Sequence, residues 1–174
     1  LFSDLWHQGT HLRLPSSYLS GGSVAWDDGK ALGLEVRESG GDGVWKEAKI
    51  GETNAITSAA NPELPAGGRY LYFNIDDAFA FELYDKIVVL SVTYRDAGCS
   101  SFLVEYDSSN PSEGIYEGAF RPTDNVEVGS GGQWKTATFE LPQCRFMNRS
   151  NGADFRLPIL GGELTVSRVK LTKQ

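Results

Sequence analysis

Trp134-Lys-Thr-Ala-Thr-Phe-Glu-Leu-Pro142 reads as one β-strand. Lys135, Ala137, Phe139 and Leu141 fall on one side of it, and Trp134, Thr136, Thr138 and Glu140 on the other. A sustained period of two belongs to a pleated strand with one face against a core and the other towards solvent. Gly129-Ser-Gly-Gly-Gln before the run and Pro142 after it are turn residues. The same period recurs upstream. In Arg69 to Asp77, Leu71, Phe73 and Ile75 share a face opposite Tyr70, Tyr72 and Asn74.

From Lys86 to Asp96 both rows are rich in apolar or small residues, which predicts a strand covered on both sides. Asp96-Ala-Gly-Cys then predicts a hairpin into Phe102, Val104 and Tyr106. Ile115 to Phe120 suits a short strand, and Asp154 to Ile159 and Leu164 to Thr172 supply the last two. In the final strand the apolar phase slips between Val166 and Val169, which predicts a β-bulge. Helical signals are confined to single turns at Asp77 to Tyr84 and Ala55 to Ala60. The fold class is therefore all-β: a two-sheet antiparallel β-sandwich of jelly-roll type.

The chain has 174 residues, enough for one domain with a sizeable core. Residues 1–174 show no linker or repeat, and a start at Leu1 suggests a piece excised from a larger multimodular protein. The net charge of −7 leaves no basic excess for nucleic-acid phosphate or an anionic membrane, although a local basic patch can still hold an acidic sugar. Cys99 and Cys144 fit no metal-ligand spacing. A disulfide and two buried thiols both remain open.

Catalytic signatures are weak. His7 and His11 are the only histidines, and Gly9, Thr10 and Pro15 argue against a helix that would aim them together. Glu105 and Glu140 form the best carboxylate pair for a glycosidase, if both face outward from one sheet. A small lyase would draw on Tyr70, Tyr72, Arg95 and Arg156. Asp27-Asp28, Asp76-Asp77 and Asp96 offer hard oxygen ligands for a structural calcium, with Asp76 and Asp77 the leading candidates. Paired Asp residues at strand ends more often cap turns.

A sugar-binding surface needs exposed flat rings to stack on C–H faces, beside side chains that donate and accept hydrogen bonds. Four Trp, seven Tyr and nine Phe give more ring surface than the core needs. Trp26, beside Asp27-Asp28-Gly29, and Trp45, after Gly40-Gly-Asp-Gly, read as loop residues and are the leading stacking candidates. Tyr116 is a further candidate ring, and Arg121, Asn148 and Arg149 supply polar contacts.

Arg69-Tyr-Leu-Tyr-Phe-Asn-Ile-Asp-Asp77, Val104-Glu-Tyr-Asp-Ser108, Trp134 to Pro142 and Asn148-Arg-Ser-Asn-Gly-Ala-Asp-Phe-Arg156 together resemble bacterial galactose-binding-like β-sandwich domains. These are carbohydrate-binding modules appended to glycoside hydrolases and polysaccharide lyases. The resemblance implies a secreted or cell-surface bacterial module, without catalysis, that carries a covalently linked enzyme to a polysaccharide or oligosaccharide. It spans about residues 69 to 160 and assigns no binding residue. A purely structural sandwich packed on a catalytic domain is the remaining alternative.

Overall fold

The computed structural model describes residues 22–39, 41–61, 68–83 and 86–174. His7 and His11 lie outside them. The strands are β1 (Ser23–Asp27), β2 (Lys30–Leu32), β3 (Leu34–Arg37), β4 (Val44–Ile50), β5 (Thr53–Ala59), β6 (Arg69–Ile75), β7 (Val88–Arg95), β8 (Ser101–Phe102), β9 (Glu105–Tyr106), β10 (Arg121–Pro122), β11 (Val126–Glu127), β12 (Trp134–Leu141), β13 (Phe155–Leu160) and β14 (Thr165–Lys173).

They form two sheets. The first runs β12-β7-β14-β1-β2, with β5 pairing β14 and β4 pairing β5. The second runs β10-β9-β13-β6-β3, with β8 pairing β13 and β11. All strand pairings are antiparallel. The two-sheet sandwich expected from the alternation is what the chain adopts.

Each sheet turns one face of its alternation inward. Leu90, Val92, Phe139, Leu141, Val169 and Leu171 from the first sheet meet Leu71, Phe73, Phe155, Leu157 and Phe102 from the second. Phe73 and Phe155 are cross-strand partners whose rings stack at 5.1 Å. Complete burial of each such side chain stabilises the fold by roughly 1.5–3 kcal/mol. The predicted bulge is present, as a register shift between Val166 and Arg168. It keeps Val166 and Val169 both inward and turns Arg168 and Lys170 outward.

Four local expectations are corrected. Burial along β7 alternates strictly, so that strand is covered on one side only. The Asp96-to-Cys99 turn is no hairpin, because β8 and β9 pair within the second sheet. It is a crossover between sheets, held by the Asp96 carboxylate, which accepts Gly129 N–H at 2.7 Å and pairs with Lys135 at 2.7 Å. Ala55 to Ala59 lies in β5, where register with β14 and β4 overrides the local helical signal. Ile115 to Phe120 is a tight loop closed by a bridge between its ends.

Cys99 and Cys144 are free and buried. Burial pushes the Cys99 thiol up to about 11 and the Cys144 thiol further, so both stay protonated and inert. Among the described residues no helix is long and apolar enough to cross a membrane.

Candidate functional site

The outer face of the second sheet carries a row of directly opposed residues across five strands: Pro122, Glu105, Arg156, Tyr72 and Arg37. Arg156 is its centre. Its neighbours Phe155 and Leu157 point into the core, so alternation forces the guanidinium outward. It does not reach freely into water, being only 9% exposed. Its carbon lies 4.1 Å from the centroid of Tyr70 and 4.1 Å from that of Phe120.

Arg156 Nε donates to Glu105 Oε2 at 2.6 Å, and Nη1 donates to the Tyr72 hydroxyl at 2.8 Å. A planar cation held between two rings, with its edge satisfied by a carboxylate and a phenol, is a rigid arrangement. Burial raises the Tyr72 hydroxyl above its ordinary range, against the opposing pull of Arg156.

Two loops rim this face. In one, Ser39 Oγ donates to Asn151 O at 2.6 Å, and Gly43 lies so close to Tyr72 that a Cβ there would strike the ring. In the other, Asn151 Nδ2 donates to the Tyr72 hydroxyl at 2.9 Å, and Gly152 O accepts from Arg37 Nη1 at 2.9 Å. Together they close over Tyr72, which is fully buried. Tyr70 and Glu105 stay half-buried at the open side.

The open side leads to Tyr116, whose ring is 75% exposed and meets Phe120 edge-on at 6.0 Å. Its φ of 50° is unusual for a residue with a side chain and needs support. Arg149 supplies it from behind: Nε donates to Asp107 Oδ1 at 2.9 Å, Nη2 to Ser108 O at 2.7 Å and Nη1 to Glu117 O at 3.2 Å. Ser150 Oγ adds a bond of 2.6 Å to Ala119 O. Tyr116, Phe120, Arg156 and Tyr70 therefore form one continuous series of contacts from rim to sheet.

The predicted sugar contacts divide accordingly. Tyr116 is exposed at the end of this series of contacts. Arg121 lies nearby at the sandwich edge, with Nη1 donating to Gln143 Oε1 at 2.8 Å. It helps line a cleft of about 540 Å³ together with Thr123, Asp124, Thr138 and Glu140.

Asn148 and Arg149 face inward. Arg149 is committed to Asp107, and the Asn148 side-chain oxygen is buried without a partner. The two tryptophans are corrections. Trp26 belongs to β1 and is 6% exposed, its ring turned inward beside Val24 because strand alternation overrides the Asp-Gly context. Trp45 belongs to β4 and packs half-buried against the core. The Trp26 ring is closed to solvent, and Trp45 is only partly exposed.

The catalytic constellations do not assemble. Glu105 and Glu140 lie on different sheets, and Glu105 is tied to Arg156. Arg95 is on the first sheet, away from Tyr70, Tyr72 and Arg156.

The carboxylates suggested for calcium are used within the chain. Asp76 Oδ1 accepts Ala78 N–H at 2.9 Å, Asp28 Oδ1 accepts Asn54 N–H at 2.8 Å, and Asp27 pairs with Arg168 at 3.2 Å. Among the described residues no three acidic, His or Cys side chains gather as a metal site.

Comparison with solved structures finds a family 29 carbohydrate-binding module from Piromyces equi, at TM-score 0.52 and 14% identity, covering 88% of this chain and 91% of that one. The likeness is one of fold. A xylan-binding domain from Paenibacillus barcinonensis (TM-score 0.46, 14% identity, 87% and 92% covered) is more distant and adds nothing to the argument. The same holds for the C-terminal module of a laminarinase from Zobellia galactanivorans (TM-score 0.47, 9% identity, 87% and 99% covered). No family model matches the sequence, and the search of curated proteins found no match.

Proposed function

We propose that this domain is a non-catalytic carbohydrate-binding module whose ligand lies along the open side of the second sheet, from Tyr70 past Glu105 to Tyr116. The observation that carries the reading is the Arg156 guanidinium fixed between Tyr70 and Phe120, with the exposed Tyr116 ring at the end of the series. Rings already immobilised lose little entropy when a sugar stacks on them. Glu105 and the exposed Asn151 and Arg37 stand beside them as hydrogen-bonding groups.

A neutral polysaccharide suits this face, because the charges at its centre, Arg156 and Glu105, are paired with each other. Single-site affinity falls in the millimolar to micromolar range, about 4 to 8 kcal/mol. The module acts by tethering a linked polysaccharide-degrading enzyme to its substrate outside the cell. Affinity electrophoresis on a panel of soluble neutral polysaccharides tests this. At least one polymer retards the parent domain and fails to retard Tyr116→Ala. Equal retardation of both proteins by every binding polymer would overturn the assignment.

A further inference from the structure

We infer that the outer face of the first sheet is a second, separate glycan site, one that takes a polysaccharide carrying repeated carboxylate or sulfate groups. This goes beyond the neutral-glycan site on the opposite face and does not depend on it.

The bulge after Val166 is the first argument. It rotates the remainder of β14 by one position, which places Arg168 opposite Thr93 and Lys170 opposite Ser91 on the outer face. Arg95 lies two residues along β7 from Thr93, on the same face, and is itself opposite Trp134 on the edge strand β12. Three cations and a tryptophan thus share one surface with two carboxylates, Asp27 opposite Arg168 and Glu140 opposite Val89 at the end of β12 away from Trp134. Lys170 has no ion-pair partner among the described residues. Among those residues Arg168 pairs with Asp27, an exposed pair at 3.2 Å that solvent weakens.

Trp134 is the second argument. It is half-buried on the outer face, whereas the half-buried Trp45 and Ala137 pack against the core. The hydrophobic interior therefore does not account for its position. Between the indole and the basic row, Thr93 and Thr136 join their hydroxyls at 3.0 Å and keep the floor low.

Strand spacing puts the Trp134 backbone roughly 12 Å from that of Arg168 and roughly 17 Å from that of Lys170, the reach of a short oligosaccharide. One sugar ring stacks on the indole, while acidic groups further along the polymer meet Arg95, Arg168 and Lys170. The two sites point away from each other across the sandwich, so each binds its own chain.

The test uses affinity electrophoresis and calorimetry at low and high salt, with polygalacturonate and dextran sulfate as probes. Parent protein binds at least one of them, and added salt weakens binding. Retention by polygalacturonate alone identifies carboxylate as the recognised group, and retention by dextran sulfate alone identifies sulfate. Trp134→Ala and Lys170→Glu each weaken binding tenfold or more, Trp134→Phe restores part of it, and Tyr116→Ala leaves it unchanged. The proposal is overturned if neither polyanion binds the parent. It is equally overturned if Trp134→Ala and Lys170→Glu bind as the parent does, or if Tyr116→Ala alone abolishes polyanion binding.

Discussion

The two outer faces of the sandwich arise from the same alternation and end up chemically unlike. On the second sheet, large side chains interlock: Arg156 fills the space between Tyr70 and Phe120, and Glu105 and Tyr72 satisfy its edge. On the first sheet, short Thr and Ser residues form an open floor with Trp134 and the cations standing around it. Alternation decides which residues leave the core. What becomes of them depends on neighbours across the sheet and on loops that fold over it. A face locked by its own side chains is rigid and part of the fold's stability, whereas an open face can change with little effect on folding.

The sharpest way to break this contrast is Arg156→Met. It strands Glu105 without its cation and removes a donor from the buried Tyr72 hydroxyl, at a cost of about 3 kcal/mol by urea denaturation. A loss near zero would show that the locked face contributes no more than the open one.

Asp154 sharpens the comparison through pH. Its carboxyl accepts Ile75 N–H at 2.8 Å and Asn148 N–H at 3.2 Å beneath the loop that rims the locked face. Burial raises it from 3.8 to about 7. The folded state then holds a proton that the unfolded chain releases, so this group's contribution to stability falls as pH rises from roughly 4 to 7. Asp154→Asn flattens that part of the stability–pH curve. An unchanged downward slope in the variant would assign the dependence elsewhere.

Tyr116→Ala weakens neutral-glycan binding at least tenfold by calorimetry while leaving the unfolding midpoint nearly unchanged, because the ring is exposed and meets Phe120 edge-on. A large fall in stability would make it a framework residue instead. The smallest effect is expected on the open face, where Lys170→Ala changes stability by less than about 0.5 kcal/mol. A larger loss would mean that this face is also locked.

The strands with clean alternation were legible from residues alone. β6, β7 and β12 lie where Leu71-Phe73-Ile75, Val88-Leu90-Val92 and Phe139-Leu141 put them, and the phase slip marked the bulge of β14. The N-terminal strands were harder, since Gly and Asp at short intervals look like loops until long-range pairing shows their register. β1 pairs with β14, more than a hundred residues away in sequence, and that partner is what turns Trp26 inward.

The same limit hid the centre of the site. Arg156, Tyr72 and Glu105 are each readable as outward-facing strand residues, but their opposition across three strands is a matter of register. Tyr116 was a candidate ring on a stretch that reads as a short strand, and the tight loop that exposes it emerges only from the bridge between Ile115 and Phe120.

The central claim is that Tyr116 presents a glycan platform held in place by the locked face. The most direct measurement is calorimetric titration of parent and Tyr116→Ala with the neutral oligosaccharide whose polymer retards the parent most. The account predicts micromolar to millimolar binding by the parent and at least a tenfold loss in the variant, both proteins being equally folded. Equal affinity in the two proteins would contradict it.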